Sequence, residues 1–224
     1  MQIYRLNMID VLAPLVKSPF LKDYVAQLEN ILMDENDKRV DFYNSISEKD
    51  KAEFINGEVI FHSPVTRGHL FVSQNLMQLM KAYVDVNELG EVHAEKAMIA
   101  LSRNDYEPDL CFFSKEKSAS FNDDQKLFPA PNLVVEIISK STEKNDRGVK
   151  FNDYSRHGIE EYWIVNPGTK IFEQYLLRNS KYQLLFKGKS GNVESFVIKG
   201  FVFPVKAIFD RKENSRLSKK MLGK

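Results

Sequence analysis

The chain has 224 residues, of which 43% are hydrophobic and 28% are charged, with a formal net charge of +1 at pH 7. These values are typical of a globular protein with one main domain, and the net charge neither favours nor excludes a nucleic-acid partner. Cys111 is the single cysteine, which excludes an internal disulfide and cysteine-based zinc sites and predicts a reducing, cytoplasmic location.

The N-terminal region is predicted to form a helical arm over residues 1–50. Asn7 and Asp10 interrupt its mildly apolar opening, so we expect neither a signal peptide nor a membrane span. Ser18 is a typical N-cap and Pro19 suits the first helical position, which predicts a helix to about Met33. Residues 34–53 carry seven acidic and four basic residues, which indicates a solvated connector or a short polar helix.

A hairpin and a helix are predicted next, at the start of a domain over residues 51–209. Asn56-Gly57 lies between two apolar arms in AEFINGEVIF, the pattern of a two-residue β-turn. Thr66 then caps a helix that extends to about Asn87. Its apolar positions recur at spacings of three and four residues: Val72, Leu76, Leu79, Met80 and Tyr83.

The remaining elements alternate between strands and one helix. EKAMIALS, EPDLCFFS and PNLVVEIIS predict three strands. Ser141 or Thr142 then caps a second helix that ends near His157-Gly158. EYWIVNP predicts another strand, and KIFEQYLL with KYQLLFKG predicts a C-terminal hairpin. The order is helix, hairpin, helix, strands, helix, strand and hairpin, which is that of an α/β (α+β) domain.

The C-terminal end is basic. From Lys206 onward the sequence has seven basic and two acidic residues and little apolar periodicity. We expect residues 210–224 to form a flexible, solvated tail, with contact to nucleic-acid phosphates as the alternative.

Two acidic residues occupy predicted apolar strands. Alternation places Glu136 among apolar neighbours in PNLVVEIIS, and Asp109 begins the buried strand EPDLCFF. A buried carboxylate is costly unless a cation or a donor meets it. Two such acids on neighbouring strands are a minimal ligand set for a divalent cation such as Mg²⁺ or Mn²⁺, although hydrogen-bonded core acids remain an alternative.

The helix after Glu136 presents a polar face towards the same region. Asp146, Lys150, Tyr154 and His157 follow one another at helical spacings, so they share one side of the helix. An exposed acid–lysine pair would give the same pattern, and a half-buried aromatic residue is the ordinary reading of Tyr154.

These motifs together resemble one known family. The run from Tyr106-Glu107-Pro108-Asp109 through Glu136-Ile137-Ile138-Ser139 to Glu161-Tyr162-Trp163-Ile164-Val165 is similar to the Uma-two family of restriction endonuclease-like proteins. The resemblance covers about Glu53 to Phe209. That family is placed in the PD-(D/E)XK nuclease superfamily. The resemblance therefore implies a restriction-endonuclease-like core, with a mixed β-sheet flanked by helices, in which an Asp and a Glu bind Mg²⁺ and a lysine assists the hydrolysis of DNA.

The position of that lysine differs from the superfamily pattern. The usual lysine stands two residues after the glutamate, where this chain has Ile138. We interpret Lys150 as the displaced catalytic lysine, held by Asp146. The alternative is a catalytically inactive nucleic-acid-binding or interaction module, and a two-carboxylate glycosidase is disfavoured because aromatic cleft residues are scarce.

Other residues receive supporting roles. The resemblance extends to Glu58, which could lie beside the metal or be an exposed hairpin acid, and to His69, which could contact phosphate or simply cap and pack. Cutting both DNA strands commonly calls for two sites, so we expect a homodimer. DNA phosphates are expected to contact four basic residues around the second helix: Lys140, Lys144, Arg147 and Arg156.

Overall fold

The computed structural model describes residues 8–223, and the side chains from residue 12 onward. Residues 1–7 and 224 lie outside this range, and with them part of the opening segment that we interpreted as unlike a signal peptide. The helices are α1 Met8–Val16, α2 Leu21–Ser45, α3 Arg67–Val86, α4 Lys115–Ser118, α5 Glu143–Asp146, α6 Val149–Arg156, α7 Lys206–Phe209 and α8 Arg211–Met221.

Thirteen strands are present in the described residues. They are β1 Ala52–Ile55, β2 Glu58–Phe61, β3 Gly90–Ala94, β4 Met98–Ala100, β5 Asp105–Tyr106, β6 Leu110–Ser114, β7 Leu127–Phe128, β8 Leu133–Ile137, β9 Glu161–Asn166, β10 Ile171–Arg178, β11 Lys181–Gly188, β12 Asn192–Glu194 and β13 Val202–Pro204. Six of them form the larger sheet, in the order β11-β10-β9-β8-β6-β3. Five form a second sheet, in the order β2-β1-β5-β4-β7, and β12 pairs with β13.

The larger sheet is mixed, because β8 and β9 pair in parallel while its other pairs are antiparallel. A parallel pair needs a crossover connection, and here α5 and α6 provide it. Helices α3 and α8 contact each other and cover one face of the sheet, whereas residues of α6 pack on the other. The predicted mixed α/β architecture is confirmed.

Strand β8 shows the predicted alternation. Leu133, Val135 and Ile137 pack in the core beneath α3, and Val134 packs in the core beneath α6. Glu136 follows the same alternation, so its side chain leaves the sheet on the α6 side.

The hairpin and the helix after it form as predicted. Asn56 and Gly57 have φ values of 52° and 82°, the left-handed conformation that a two-residue turn between right-twisted strands requires. Thr66 caps α3 by accepting a hydrogen bond from the His69 backbone N–H.

Three predicted elements differ in the structure. The predicted first helix ends near Met33, but α2 continues to Ser45, which includes most of the polar connector. The predicted strand EKAMIALS is only Met98–Ala100, because Glu95 and Lys96 have positive φ values. The single predicted helix over residues 141–157 is divided at Gly148, where a Cβ atom would lie 2.6 Å from the Lys144 carbonyl oxygen.

The C-terminal segment that we expected to be a flexible tail contains a helix. Residues 211–221 form α8, and Asp210 caps it by accepting hydrogen bonds from the backbone N–H groups of Lys212 and Glu213. Asn214 and Ser218 are buried, and Asn214 donates to the Asn75 carbonyl of α3. The basic residues of this segment therefore lie on the outer side of a packed helix.

Candidate active site

A cavity of about 580 Å³ opens where β8 ends and the chain turns towards α5. Asp109, Glu136 and Lys150 line it, together with His69 from the first turn of α3. The parallel crossover produces this arrangement, because it returns α6 over the strand that carries Glu136.

Glu136 is buried and receives its hydrogen bonds from α6. The Lys150 ammonium donates to Glu136 Oε1 at 3.1 Å, and the Tyr154 hydroxyl donates to the same oxygen at 2.9 Å. Within residues 8–223, no hydrogen bond reaches Glu136 Oε2. One carboxylate oxygen is thus fixed by the protein while the other is available at the cavity.

Lys150 lies among three carboxylates. Its Nζ atom is 2.7 Å from Glu53 Oε1, 3.1 Å from Glu136 Oε1 and 3.4 Å from Asp146 Oδ1, and only 3% of its side chain is exposed. Asp146 holds the lysine from one helical turn earlier, whereas Glu53 reaches it from β1.

Asp109 lies immediately before β6 and is connected to β8. The Ile137 backbone N–H donates to Asp109 Oδ2 at 2.8 Å, and the His69 ring nitrogen Nε2 is 3.2 Å from the same oxygen. Lys51 Nζ is 3.5 Å from Asp109 Oδ1. These contacts place Asp109 next to the strand residue that follows Glu136.

The pKa values reflect an excess of buried negative charge. Burial raises the pKa of Glu136 well above its usual range, and the nearby carboxylates of Asp146, Asp109 and Glu53 raise it further, against the opposing effect of Lys150. Burial also raises the pKa of Asp146. Three carboxylates thus share the buried Lys150 ammonium, and Asp109 adds a fourth negative charge at the same cavity, so an additional cation would be stabilised here.

For Lys150 and Asp109 the contacts with neighbouring groups shift the pKa more than burial does, and in the opposite direction. Burial lowers the pKa of Lys150, but the carboxylates of Glu136, Glu53 and Asp146 outweigh it and raise that pKa well above its usual value. Burial raises the pKa of Asp109, but contacts with His69, Lys51 and the Ile137 N–H outweigh it and lower that pKa. Both side chains therefore favour their charged forms.

The donor set is compatible with a hard divalent cation. Among residues 8–223, no group of three or more His, Cys, Asp and Glu side chains is arranged as a ready-made metal cage. Mg²⁺, however, is usually held by one or two carboxylates and retains several waters. Glu136 and Asp109 both line the cavity, and each has one oxygen without a short hydrogen bond, so they can serve as those two ligands.

The structure brings together most of the predicted site residues, but not all of them. Asp109, Glu136, Lys150, Asp146, Tyr154 and His69 form one cluster. Tyr154 is fully buried and bonds to Glu136, so it is more than a half-buried helix aromatic. Glu58, which we expected beside the metal or on an exposed hairpin, is exposed on β2 and does not line the cavity.

Glu53 takes the position that we had considered for Glu58. All four residues of β1 are buried, and Glu53 is 1% exposed. Its signal in the sequence is a charged residue inside AEFI, the same kind of signal that identified Glu136. The family resemblance had drawn attention to Glu58 instead, and the second sheet that buries β1 was not foreseen.

The four predicted basic contacts are differently placed. Lys140 is exposed and lines the cavity, and Lys144 is exposed outside its lining. Arg156 is exposed at the far end of α6. Arg147 binds Glu173 through two hydrogen bonds and also bonds Glu143, so this guanidinium is already engaged by carboxylates and does not fit the predicted phosphate contact.

Comparisons with known proteins give a family and a fold for this chain. A family model described as "Uma2: Putative restriction endonuclease" matches residues 39–206. The chain belongs to the Uma2 family. The structure also resembles the crystal structure of a "putative nuclease belonging to DUF820" from Anabaena variabilis, with a TM-score of 0.65, 14% identity and coverage of 75% of this chain and 94% of that one.

Two cyanobacterial relatives of this Uma2 protein are similar in sequence. The uncharacterized Synechocystis protein sll1609 is 26% identical over 152 residues, which cover 65% of this chain and 82% of the relative. The uncharacterized Synechocystis protein slr1290 is 26% identical over 128 residues, which cover 55% of this chain and 64% of the relative. The family and the fold indicate a nuclease with a restriction-endonuclease-like core.

Each helix among residues 8–223 is too short or too polar to cross a lipid bilayer.

Proposed function

We propose that this Uma2 protein is a Mg²⁺-dependent endonuclease that hydrolyses DNA phosphodiester bonds, with Mn²⁺ as an alternative cation. The observation that carries the proposal is the Lys150 ammonium, 3.1 Å from Glu136 Oε1, in a cavity that Asp109 also lines. In related nucleases this positive charge comes from a lysine two residues after the glutamate on the strand. This chain has Ile138 at that position, and Lys150 supplies the charge from α6.

In this mechanism Asp109 and Glu136 would hold the metal. A cation bound there would act as a Lewis acid for a phosphoryl oxygen and for a water molecule. Tyr154 and Lys150 fix Glu136 through one carboxylate oxygen and so orient the other towards the cavity. Preorganised groups of this kind need little rearrangement during the reaction.

Lys150 acts in this proposal as a cation and a hydrogen-bond donor. Its raised pKa keeps the ammonium protonated at neutral pH, so it can stabilise negative charge on a phosphate but cannot accept a proton. Glu53 and Asp146 position it, since each lies within 3.4 Å of Nζ. Lys140 and Lys51 line the same cavity and provide further positive charge for a phosphodiester backbone.

We also propose a homodimer in the cytoplasm. Cutting both strands of a duplex commonly calls for two active sites, and the single, buried Cys111 suits a reducing compartment.

A binding module without turnover is the second candidate function. Ile138 favours it, because the position of the usual catalytic lysine is apolar and 5% exposed. In that case the ion pairs of Lys150 with its neighbouring carboxylates would only stabilise the structure around the cavity.

The deciding experiment incubates supercoiled plasmid with the protein in Mg²⁺, Mn²⁺ or EDTA. We expect nicked and linear products with either metal and none with EDTA. Glu136→Gln should abolish cleavage, whereas Glu58→Gln, a matched change of an exposed glutamate outside the cavity, should leave it unchanged. Absence of metal-dependent cleavage by folded protein would favour the binding module.

The DNA assignment has a separate test. Binding of duplex DNA in Ca²⁺ should weaken steeply with salt, because neutralised phosphates release counterions. Lys140→Gln should reduce affinity more than Arg147→Gln, since Arg147 is engaged by Glu173. A flat salt dependence would argue against a nucleic-acid substrate.

A further inference from the structure

The N-terminal part of α2 is a helix with apolar side chains that the rest of the described structure does not cover. From Val25 to Asp34 every residue is exposed, and we call these ten residues the free segment. Four of its large apolar side chains are about half exposed: Val25 at 45%, Leu28 at 54%, Ile31 at 51% and Leu32 at 54%. Helical segments as short as this one gain most of their stability from packing an apolar face.

The apolar side chains of α2 follow a coiled-coil spacing. Leu21, Val25, Leu28 and Leu32 are separated by four, three and four residues, which is the a/d pattern of a helix that packs along another helix. The pattern ends where the body of the protein begins, because the next position in the series is Glu35, which is buried against Arg103. These four residues, which we call the seam, therefore lie N-terminal to the contacts that α2 makes with the body of the protein.

We propose that this seam joins two copies of the chain through antiparallel pairing of their α2 helices. In the register that buries all four apolar residues, Leu21 lies opposite Leu32 of the second copy, and Val25 lies opposite Leu28 of the second copy. The two-fold symmetry repeats each contact, so the seam contains only apolar layers.

The residues beside the seam are complementary in the same register. Antiparallel helices bring equivalent flanking positions together, which places Lys22 beside Glu29 of the second copy and, by symmetry, Glu29 beside its Lys22. On the other flank Tyr24 meets Ile31 of the second copy. A parallel pair would instead place Tyr24 beside Glu29 and would form no ion pair at these positions. The charges thus select a second copy in the antiparallel direction.

The length of the free segment also fits this partner. In this register Glu35 of one copy lies about 17 residues along the axis from Glu35 of the other, which is about 25 Å at 1.5 Å per residue. The two folded bodies would thus lie at opposite ends of the pair, and neither would occupy the space of the other helix. This inference does not depend on nuclease activity.

Light scattering coupled to size exclusion tests the assembly with the full chain. We expect a mass of about 52 kDa, twice the 26.0 kDa of one chain. Leu28→Asp should give the monomer mass. Ala26→Asp adds the same charge on another side of the same helical turn and should remain dimeric. A wild-type monomer at all concentrations, or a dimer that Leu28→Asp leaves intact, would overturn the proposal.

Charge exchange tests the register without removing apolar side chains. Lys22→Glu or Glu29→Lys alone should raise the dimer dissociation constant about fivefold, and the two changes together should restore it. No restoration would contradict the register, even if Leu28→Asp had unfolded the arm.

Cysteine pairing tests the direction, since the native Cys111 is buried. Mixing a Val25→Cys chain with a Leu28→Cys chain should give the cross-linked mixed dimer under oxidation, and neither chain alone should cross-link as efficiently. Preferential linkage of Val25→Cys chains to one another would indicate parallel pairing and would refute the antiparallel arrangement.

Discussion

Glu136 and Glu161 are both buried glutamates, and they lie on the neighbouring parallel strands β8 and β9. The Glu161 carboxylate accepts five hydrogen bonds from neutral donors at 2.7–3.1 Å: Trp163 Nε1, Gln174 Nε2, Ser195 Oγ and the backbone N–H groups of Phe196 and Val197. Both of its oxygens are used. Glu161 therefore connects β9, β10 and the segment after β12, and has no oxygen left for a ligand.

Glu136 is satisfied in a different way. Its two donors, Lys150 and Tyr154, share one oxygen, and Lys150 is itself shared with Glu53 and Asp146. A buried acid that is fully paired with neutral donors holds the fold, whereas an acid at a cavity with too little positive charge around it is suited to bind a cation. The comparison separates a structural glutamate from a proposed catalytic one within the same sheet.

The largest expected effect is on cleavage by Glu136→Gln. We expect a loss of about 10³-fold or more, because the change removes the anionic ligand at the cavity. Glu161→Gln should retain cleavage near that of wild type for the fraction that is folded. The measurement is the initial rate of plasmid nicking in Mg²⁺ at equal concentrations of folded protein. Similar losses of nicking rate for Glu136→Gln and Glu161→Gln would contradict the assignment of different roles to the two glutamates.

The second prediction concerns Lys150. Lys150→Ala should lower the cleavage rate about 10²-fold, and adding Ile138→Lys should recover part of it, since residue 138 lines the same cavity. Recovery should be incomplete because a lysine on an apolar strand bears a desolvation cost. Lys81→Ala, which removes an exposed lysine of α3 that pairs with Asp85 outside the cavity lining, is the control and should cleave normally. Undiminished cleavage by folded Lys150→Ala would remove Lys150 from the mechanism.

The third prediction concerns stability, for which we expect the change of Glu161 to have a larger effect than the change of Glu136. Glu161→Leu should lower the free energy of unfolding by about 3 kcal/mol, since it leaves several buried donors without an acceptor. Glu136→Leu should change it by less than about 1 kcal/mol, because Lys150 keeps Glu53 and Asp146 while the excess of negative charge falls. Urea denaturation in EDTA measures both. A larger loss for Glu136→Leu would mean that this acid also holds the fold.

The local parts of this site could be predicted from the sequence. The period of a strand placed Glu136 alone among apolar residues, and the period of a helix placed Lys150 one turn after Asp146. The hairpin turn and the cap of α3 also depend on neighbouring residues only, and both were predicted correctly. Motif resemblance then connected Asp109 to Glu136 across the chain.

The remaining parts depend on contacts between distant residues. Glu53 is buried because β1 pairs with β5, about 50 residues later, and no local pattern indicates that pairing. The donors to Glu161 come from positions 163–197, so sequence reasoning could not distinguish its role from that of Glu136. Helix α8 has a strongly polar sequence, and its only apolar residues, Leu217 and Met221, pack against the core beside the buried Asn214 and Ser218.

A third glutamate, Glu173, shows how a cationic partner stabilises a buried acid in this sheet. It lies one strand beyond β9, since Ile164 pairs with both Glu136 and Glu173. Arg147 donates to both of its oxygens at 2.8 and 2.9 Å. Burial raises the pKa of Glu173, but the hydrogen bonds from Arg147 and Tyr175 outweigh it and lower that pKa to about 2.

The smallest expected effect follows from this pair. Because the pKa of Glu173 is lower in the folded state than its ordinary value of 4.5, its contribution to stability is complete above about pH 4.5 and is lost as the pH falls towards 2. Arg147→Gln should therefore destabilise the protein by about 1 kcal/mol at pH 7, a value reduced by the partial exposure of Arg147, and by much less near pH 2.5. Lys187→Gln, which removes a more exposed contact to the same acid, should cost a few tenths of a kcal/mol at most. Thermal unfolding of the three proteins between pH 2.5 and 7 measures the difference. An equal loss at both ends of that range would show that Arg147 acts through packing, and Glu173 would then resemble Glu161 rather than a charge-paired acid.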